Sequence, residues 1–131
     1  MIWEKVFGKK HPLTATIYNN IALVYCSLMK HENALEWYKK SLIISESILG
    51  KDHPDTATTY NNIALVYDSL GEYEKALEWY RKAIPIIVSC VGINHPNAKM
   101  VINNAWETFE RKGGNESEFL EWFDSYLLPF I

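Results

Sequence analysis

Apolar residues recur along this chain with the period of a helix. Tyr60, Ile63, Ala64 and Tyr67 stand at i, i+3, i+4 and i+7, and so share one helical face. Pro54 suits the first turn of that helix, where a missing N–H costs nothing. Gly71 ends the pattern where a left-handed residue is expected. A second helix follows from near Glu72, with Tyr73, Ala76, Leu77, Tyr80 and Ala83 facing inward. Its outer side carries Glu78, Arg81 and Lys82 at the i, i+3 and i, i+4 spacings of exposed charge pairs. The same layout runs from Pro12 to Leu49, with Met29-Lys30 in place of Gly71-Glu72.

This two-helix unit is repeated. His11-Pro12, His53-Pro54 and His95-Pro96 recur at intervals of 42 residues. Gly8–Leu49 aligns with Gly50–Val91 without a gap, and 26 of the 42 positions are identical. The shared string is TATxYNNIALVYxSL, followed by ALEWYxK. The third unit has drifted: Asn103, Asn104 and Gly113 keep their places, but an extra residue in Gly113-Gly114-Asn115 shifts the remainder by one. Leu120-Glu121-Trp122-Phe123 then matches Leu77-Glu78-Trp79-Tyr80. Met1–Gly8 aligns with Ile43–Gly50, the tail of a second helix. The expected organisation is one array over 1–131: a remnant at 1–8, repeats at 9–50 and 51–92, and a divergent repeat at 93–131.

Composition narrows what such an array can do. At 131 residues, 48% hydrophobic and 22% charged, the chain can bury one real core but not two. A net charge of −3 without a Lys/Arg cluster argues against nucleic acid or an anionic membrane surface as partner. No apolar run approaches the ~20 residues of a membrane span, and Met1 to Lys10 hold no apolar signal core. Cys26 and Cys90 are isolated and read as small packing residues, so the expected setting is the reduced cytoplasm.

The repeat resembles the tetratricopeptide family, in the 42-residue form found in kinesin light chains and many bacterial signalling proteins. The motifs that carry the resemblance are the HPxTA start and the YNNIALVY string. In family terms the large first-helix positions are Tyr18, Tyr60 and Ile102, followed by Ile21, Ile63 and Ala105. Small residues come next at Ala22 and Ala64, with aromatics at Tyr25, Tyr67 and Phe109. The second helices show the small-large-small series Ala34, Tyr38, Ser41 and Ala76, Tyr80, Ala83. The resemblance implies an all-α fold, an α-α superhelix of stacked antiparallel hairpins. Two departures stand out. Trp106 and Phe119 replace the small residues at the third helix crossing and should widen it together. Pro85 lies inside a helix, where it should remove a hydrogen bond and introduce a kink. The apolar residues around it, Ile84, Ile86, Ile87 and Val88, suggest a segment buried against the next unit.

The same resemblance implies a protein–protein interaction module that binds an extended peptide on its concave face. At ~100° per residue, Thr58, Asn62, Leu65 and Ser69 lie opposite the packed sector. Their equivalents are Thr16, Asn20, Leu23 and Ser27 in repeat one, and Met100, Asn104, Glu107 and Arg111 in unit three. Asparagine offers both a donor and an acceptor to a peptide backbone, and Leu23 and Leu65 would supply side-chain pockets. Inherited repeat sequence is the alternative reading of this stripe. Asn19, Asn61 and Asn103 point to the flank and should bond between neighbouring helices, and Trp37 and Trp79 should pack. A clamp for a chaperone C-terminal carboxylate would need Lys or Arg where Thr16, Thr58 and Met100 stand, with Arg111 the lone cation. Basic residues that would read an acidic cargo motif are not evident either.

No enzymatic chemistry is indicated. His11, His53 and His95 are one repeat apart, and equivalent residues of stacked units are ~10 Å from each other, too far to share a metal bound at ~2 Å. They should instead fix the inter-repeat turn beside proline, and His31 stands alone. There is no glycine-rich phosphate loop, nucleophile elbow or zinc-binding helix motif. Neither a cofactor nor a metal is expected. Alongside peptide binding stands a second reading: a spacer or self-association element of a larger protein, joined through uncapped apolar ends (Met1, Ile2, Trp3, Val6, Phe7 and Leu127 to Ile131).

Overall fold

The computed structural model describes residues 11–127, so the remnant expected at Met1–Gly8, and the apolar residues 128–131, lie outside the described residues. All regular elements among the described residues are helices. They are α1 (Pro12–Ser27), α2 (His31–Ile48), α3 (Pro54–Ser69), α4 (Tyr73–Val91), α5 (Pro96–Arg111) and α6 (Glu116–Leu127). Each odd-numbered helix forms a hairpin with the even one that follows, as the 42-residue pattern requires.

The three His-Pro pairs set the starts of α1, α3 and α5. Proline occupies the first helical position, and the preceding histidine is the N-cap. Each imidazole Nδ1 accepts the backbone N–H two residues on: Leu13 at 3.0 Å, Asp55 at 3.1 Å and Asn97 at 3.1 Å. The ring thus takes the place of the usual Ser or Asp oxygen, and must be unprotonated at Nδ1 to do so. The expectation that these histidines fix the turn is met, and the cap is the reason.

The turns within the hairpins share one geometry. Gly71 and Gly113 adopt φ of 76° and 95°, and Met29 takes the same left-handed region at 60°. In each turn the next amide bonds back to the last helical turn: Lys30 to the Tyr25 carbonyl, Glu72 to Tyr67 and Gly114 to Phe109, each at 2.9 Å. Asn115 then caps α6, its Oδ1 accepting from the Glu118 amide at 2.9 Å.

The core runs through the array as one column. Ala22 and Ala34 in the first hairpin, and Ala64 and Ala76 in the second, are fully buried and let the paired backbones approach closely. Tyr38, Tyr80 and Ile63 fill the space between units. Trp37 and Trp79 pack as expected, tilted on Tyr18 and Tyr60 with ring centroids 5.2 and 5.6 Å apart. The third hairpin is built differently. Trp106 meets Phe119 edge-on at 5.3 Å, and Phe109, Trp122, Phe123 and Tyr126 complete an aromatic cluster. Close backbone approach between α5 and α6 is correspondingly scarce, as the bulky pair leads one to expect. Gly114, within the extra-residue turn, has a reason to be glycine: an added Cβ would lie 2.2 Å from the Phe109 ring.

Pro85 sits inside α4 without ending it. Ile84, Ile87 and Val88 are buried around it, as anticipated, while Pro85 and Ile86 are half-exposed. One expectation fails: Cys90 is exposed and packs nothing, whereas Cys26 is partly buried. No described helix is long and apolar enough to cross a membrane.

Candidate functional site

The first helices α1, α3 and α5 carry the stripe expected to face a ligand. Between α1 and α3 two clefts open end to end. One, about 410 Å³, is lined by Thr16, Asn20, Thr58 and Asn62 over a floor that includes Ile44 and Ile48. The other, about 280 Å³, is lined by Leu23, Leu65, Ser69 and Asn62 with Cys26, Tyr38 and Val66 beneath. Asn62 belongs to both, so the two form a continuous groove. Leu23 and Leu65 are exposed along it.

The hydroxyls of this stripe are turned back on their own helices. Thr16 and Thr58 donate to the Pro12 and Pro54 carbonyls at 3.2 and 3.1 Å. Ser27 and Ser69 donate to those of Leu23 and Leu65 at 3.2 and 3.0 Å. Such bonds satisfy a hydroxyl locally and leave its oxygen able to accept. The amides behave differently. Asn19 bonds across to the Thr59 hydroxyl at 3.4 Å, and Asn104 donates to Asn61 at 3.3 Å, so two flank asparagines do join neighbouring helices. Asn103 does not: it is exposed and donates to Glu107 of its own helix at 3.2 Å, because unit three is followed by no further helix on that side within the described residues.

The junction between α3 and α5 is filled rather than open. Arg111 donates to Asp68 at 2.6 Å and lies 3.6 Å from Glu107. Its hydrogen bond to Asp68, reinforced by that charge, raises the guanidinium pKa. Asp68 is nearly buried, so the pair is shielded on one side. Lys112 adds a bond to Glu74 at 2.9 Å. At this junction only a smaller cleft of about 230 Å³ remains, lined by Thr58, Asn61, Asn97, Met100 and Val101 with Ile87.

The contrast between the junctions can be traced residue by residue. Asp68 and Arg111 are 43 positions apart, and the residues one repeat earlier are Cys26 and Ser69. Where the second junction has an ion pair, the first has an uncharged cleft. Likewise Asn61–Asn104 corresponds to Asn19–Asn62, yet Asn19 turns to Thr59, so that contact is not made. Sequence inspection missed the Asp68–Arg111 bridge. Opposite charges that appear one repeat and one residue apart, where the regular repeats have none, were the available signal.

A larger cleft of about 600 Å³ opens between α2 and α4 on another face. Glu46, Lys51, Asp52 and Lys82 bring mixed charge to its walls, and Pro85 and Ile86 an apolar side. Its Glu46 already accepts from the Tyr60 hydroxyl at 2.8 Å, and burial together with that bond raises the Tyr60 pKa. Neither cleft gathers catalytic groups, and no group of three His, Cys, Asp or Glu among the described residues is placed to hold a metal.

Comparison with known proteins agrees with this architecture. A crystal structure of BtubC (BKLC) from P. vanneervenii is similar with a TM-score of 0.78 at 21% identity, over 95% of this chain and 50% of that one. A crystal structure of a putative kinesin light chain from Podosopora anserina, with nearly identical TPR-like repeats, gives 0.81 at 18% identity, over 98% of this chain and 60% of that one. At these identities the likeness is one of fold, and the chain spans half to three fifths of the length of those structures. No curated protein matches the sequence. Residues 13–87, more than half of the chain, match the tetratricopeptide repeat. With its helical hairpins, left-handed turns and 42-residue period, the chain belongs to the tetratricopeptide repeat family.

Proposed function

We propose that the chain is a non-enzymatic protein–protein interaction module that holds an extended peptide in the groove between α1 and α3. The family generally serves protein–protein interaction. The observation that carries the finer reading is the difference between the two junctions. The first is open and lined by Asn20, Asn62, Leu23 and Leu65; the second is closed by Arg111 on Asp68. A groove of amides and leucines suits a peptide backbone held through Asn20 and Asn62, with an apolar side chain set between Leu23 and Leu65. The remaining stripe positions contribute unequally. Thr16, Thr58, Ser27 and Ser69 offer hydroxyl acceptors at the groove walls, and Met100 borders its far side. Asn104, Glu107 and Arg111 serve the stacking of units two and three. With its one stripe cation already paired, this groove favours a neutral ligand over a free carboxylate, and the setting that suits its two free thiols is the cytoplasm.

The test is calorimetric binding of a peptide selected on the intact chain from a random library. Asn62→Ala together with Leu65→Ala should weaken binding at least tenfold, since each removes a direct contact. Unchanged affinity in a variant that keeps its helical content would rule the groove out.

A further inference from the structure

The surfaces that join successive hairpins inside the array recur at its two ends, uncovered. At the first internal junction α3 buries Thr59, Ile63, Val66 and Tyr67. At the second, α5 buries Val101, Ala105, Thr108 and Phe109 at the same positions. On α1 these positions are Ile17, Ile21, Val24 and Tyr25, and none of them is buried. Val66 is 3% exposed, whereas Val24 is 58% exposed. Nothing polar compensates: α1 contains no charged residue at all. The opposite end shows the complementary deficit. Leu35 of α2 and Leu77 of α4 are buried, each with a further hairpin stacked beyond it. Leu120 of α6 holds the same place once the extra residue is counted, and it is 48% exposed.

We propose that these two ends mate, the α1 face of one copy stacking on α6 of a second copy as α3 stacks on α2 within the chain. A second copy is the indicated occupant because each end displays the surface that the other lacks, and the internal junctions show that such surfaces fit. The polar detail is compatible. At the internal junction Lys39 of α2 donates to the Tyr67 hydroxyl at 3.2 Å. Between copies the corresponding residues are Asp124 and Tyr25, and the Tyr25 hydroxyl can donate to the Asp124 carboxylate instead. The contact joins two different faces, so it is heterologous and does not close at a dimer. It involves neither Asn62 nor Leu65, so it stands or falls separately from the peptide groove.

Sedimentation velocity of the intact chain over a concentration series tests this, with Val24→Glu and Leu120→Glu as variants. Both residues are at the surface, so the variants should keep the helical circular dichroism of the parent. The parent should grow past dimer with concentration, and each variant alone should lose association at least tenfold. Mixing the two variants is decisive. One retains a working α6 face and the other a working α1 face, so together they should form a 1:1 dimer and nothing larger. A parent that stays monomeric overturns the proposal. So does association that both substitutions leave intact, or a mixture that fails to pair.

Discussion

Single residues decide how firmly each hairpin is set. Met29 takes the left-handed conformation that glycine takes in the other two turns, and it is well exposed, so its side chain holds nothing in place. Met29→Gly should stabilise the chain by about 0.5–1 kcal/mol, read as a higher midpoint in urea. The histidine caps make a comparable contribution. His53→Ala should cost about 1 kcal/mol, while His53→Asn should recover most of that, because an Asn oxygen can accept the same Asp55 amide. Substitution of Arg111 by alanine leaves Asp68, nearly buried, without its counter-charge. The expected loss is about 1–2 kcal/mol, moderated by the exposure of the arginine. The Pro and Gly markers of these turns were legible in the sequence. The histidine cap was legible only as a turn, since a histidine's capping nitrogen cannot be told from a surface ring without coordinates.

At the scale of elements, the regular hairpins and the last one follow different rules. Alanines at the first two crossings let the backbones meet, and their inheritance from unit to unit made the pairing of α1 with α2 and of α3 with α4 readable in advance. The third pairing rests on aromatic rings, and its turn is fitted to one of them. Gly114→Ala would drive a methyl group into the buried Phe109 ring. The expected cost is about 1–3 kcal/mol, as for other overpacked sites, and thermal unfolding would measure it. In α4, Pro85 deprives the Arg81 carbonyl of its helical donor. Pro85→Ala should return part of the roughly 3 kcal/mol that an interior proline costs, raising the midpoint of denaturant unfolding. The sequence flagged this proline but could not show that the helix would run on through it. The hydrophobic residues on both sides of it, buried against neighbouring helices, hold the two halves in line.

Across the whole molecule, repetition made the fold legible and concealed the site. A near-identical pair of units announces stacked hairpins, yet it also predicts a uniform stripe from α1 to α5, in which twelve positions look alike. The structure breaks that uniformity at the junctions. Cys26 and Ser69 leave the first open, whereas Asp68 and Arg111 bridge the second. These are differences between pairs 43 positions apart, and pairing across helices is set by stacking, which no single helix's periodicity reveals. The central claim is that this asymmetry creates one peptide groove, between α1 and α3. Amide chemical-shift mapping on the 15N-labelled chain, titrated with a peptide selected from a random library, tests it most directly. The account predicts perturbations concentrated at Asn20, Leu23, Asn62 and Leu65, with Asn104 and Arg111 largely unmoved. Perturbations centred instead on the cleft between α2 and α4 around Lys82 and Pro85, or a selection that yields no binder, would contradict it.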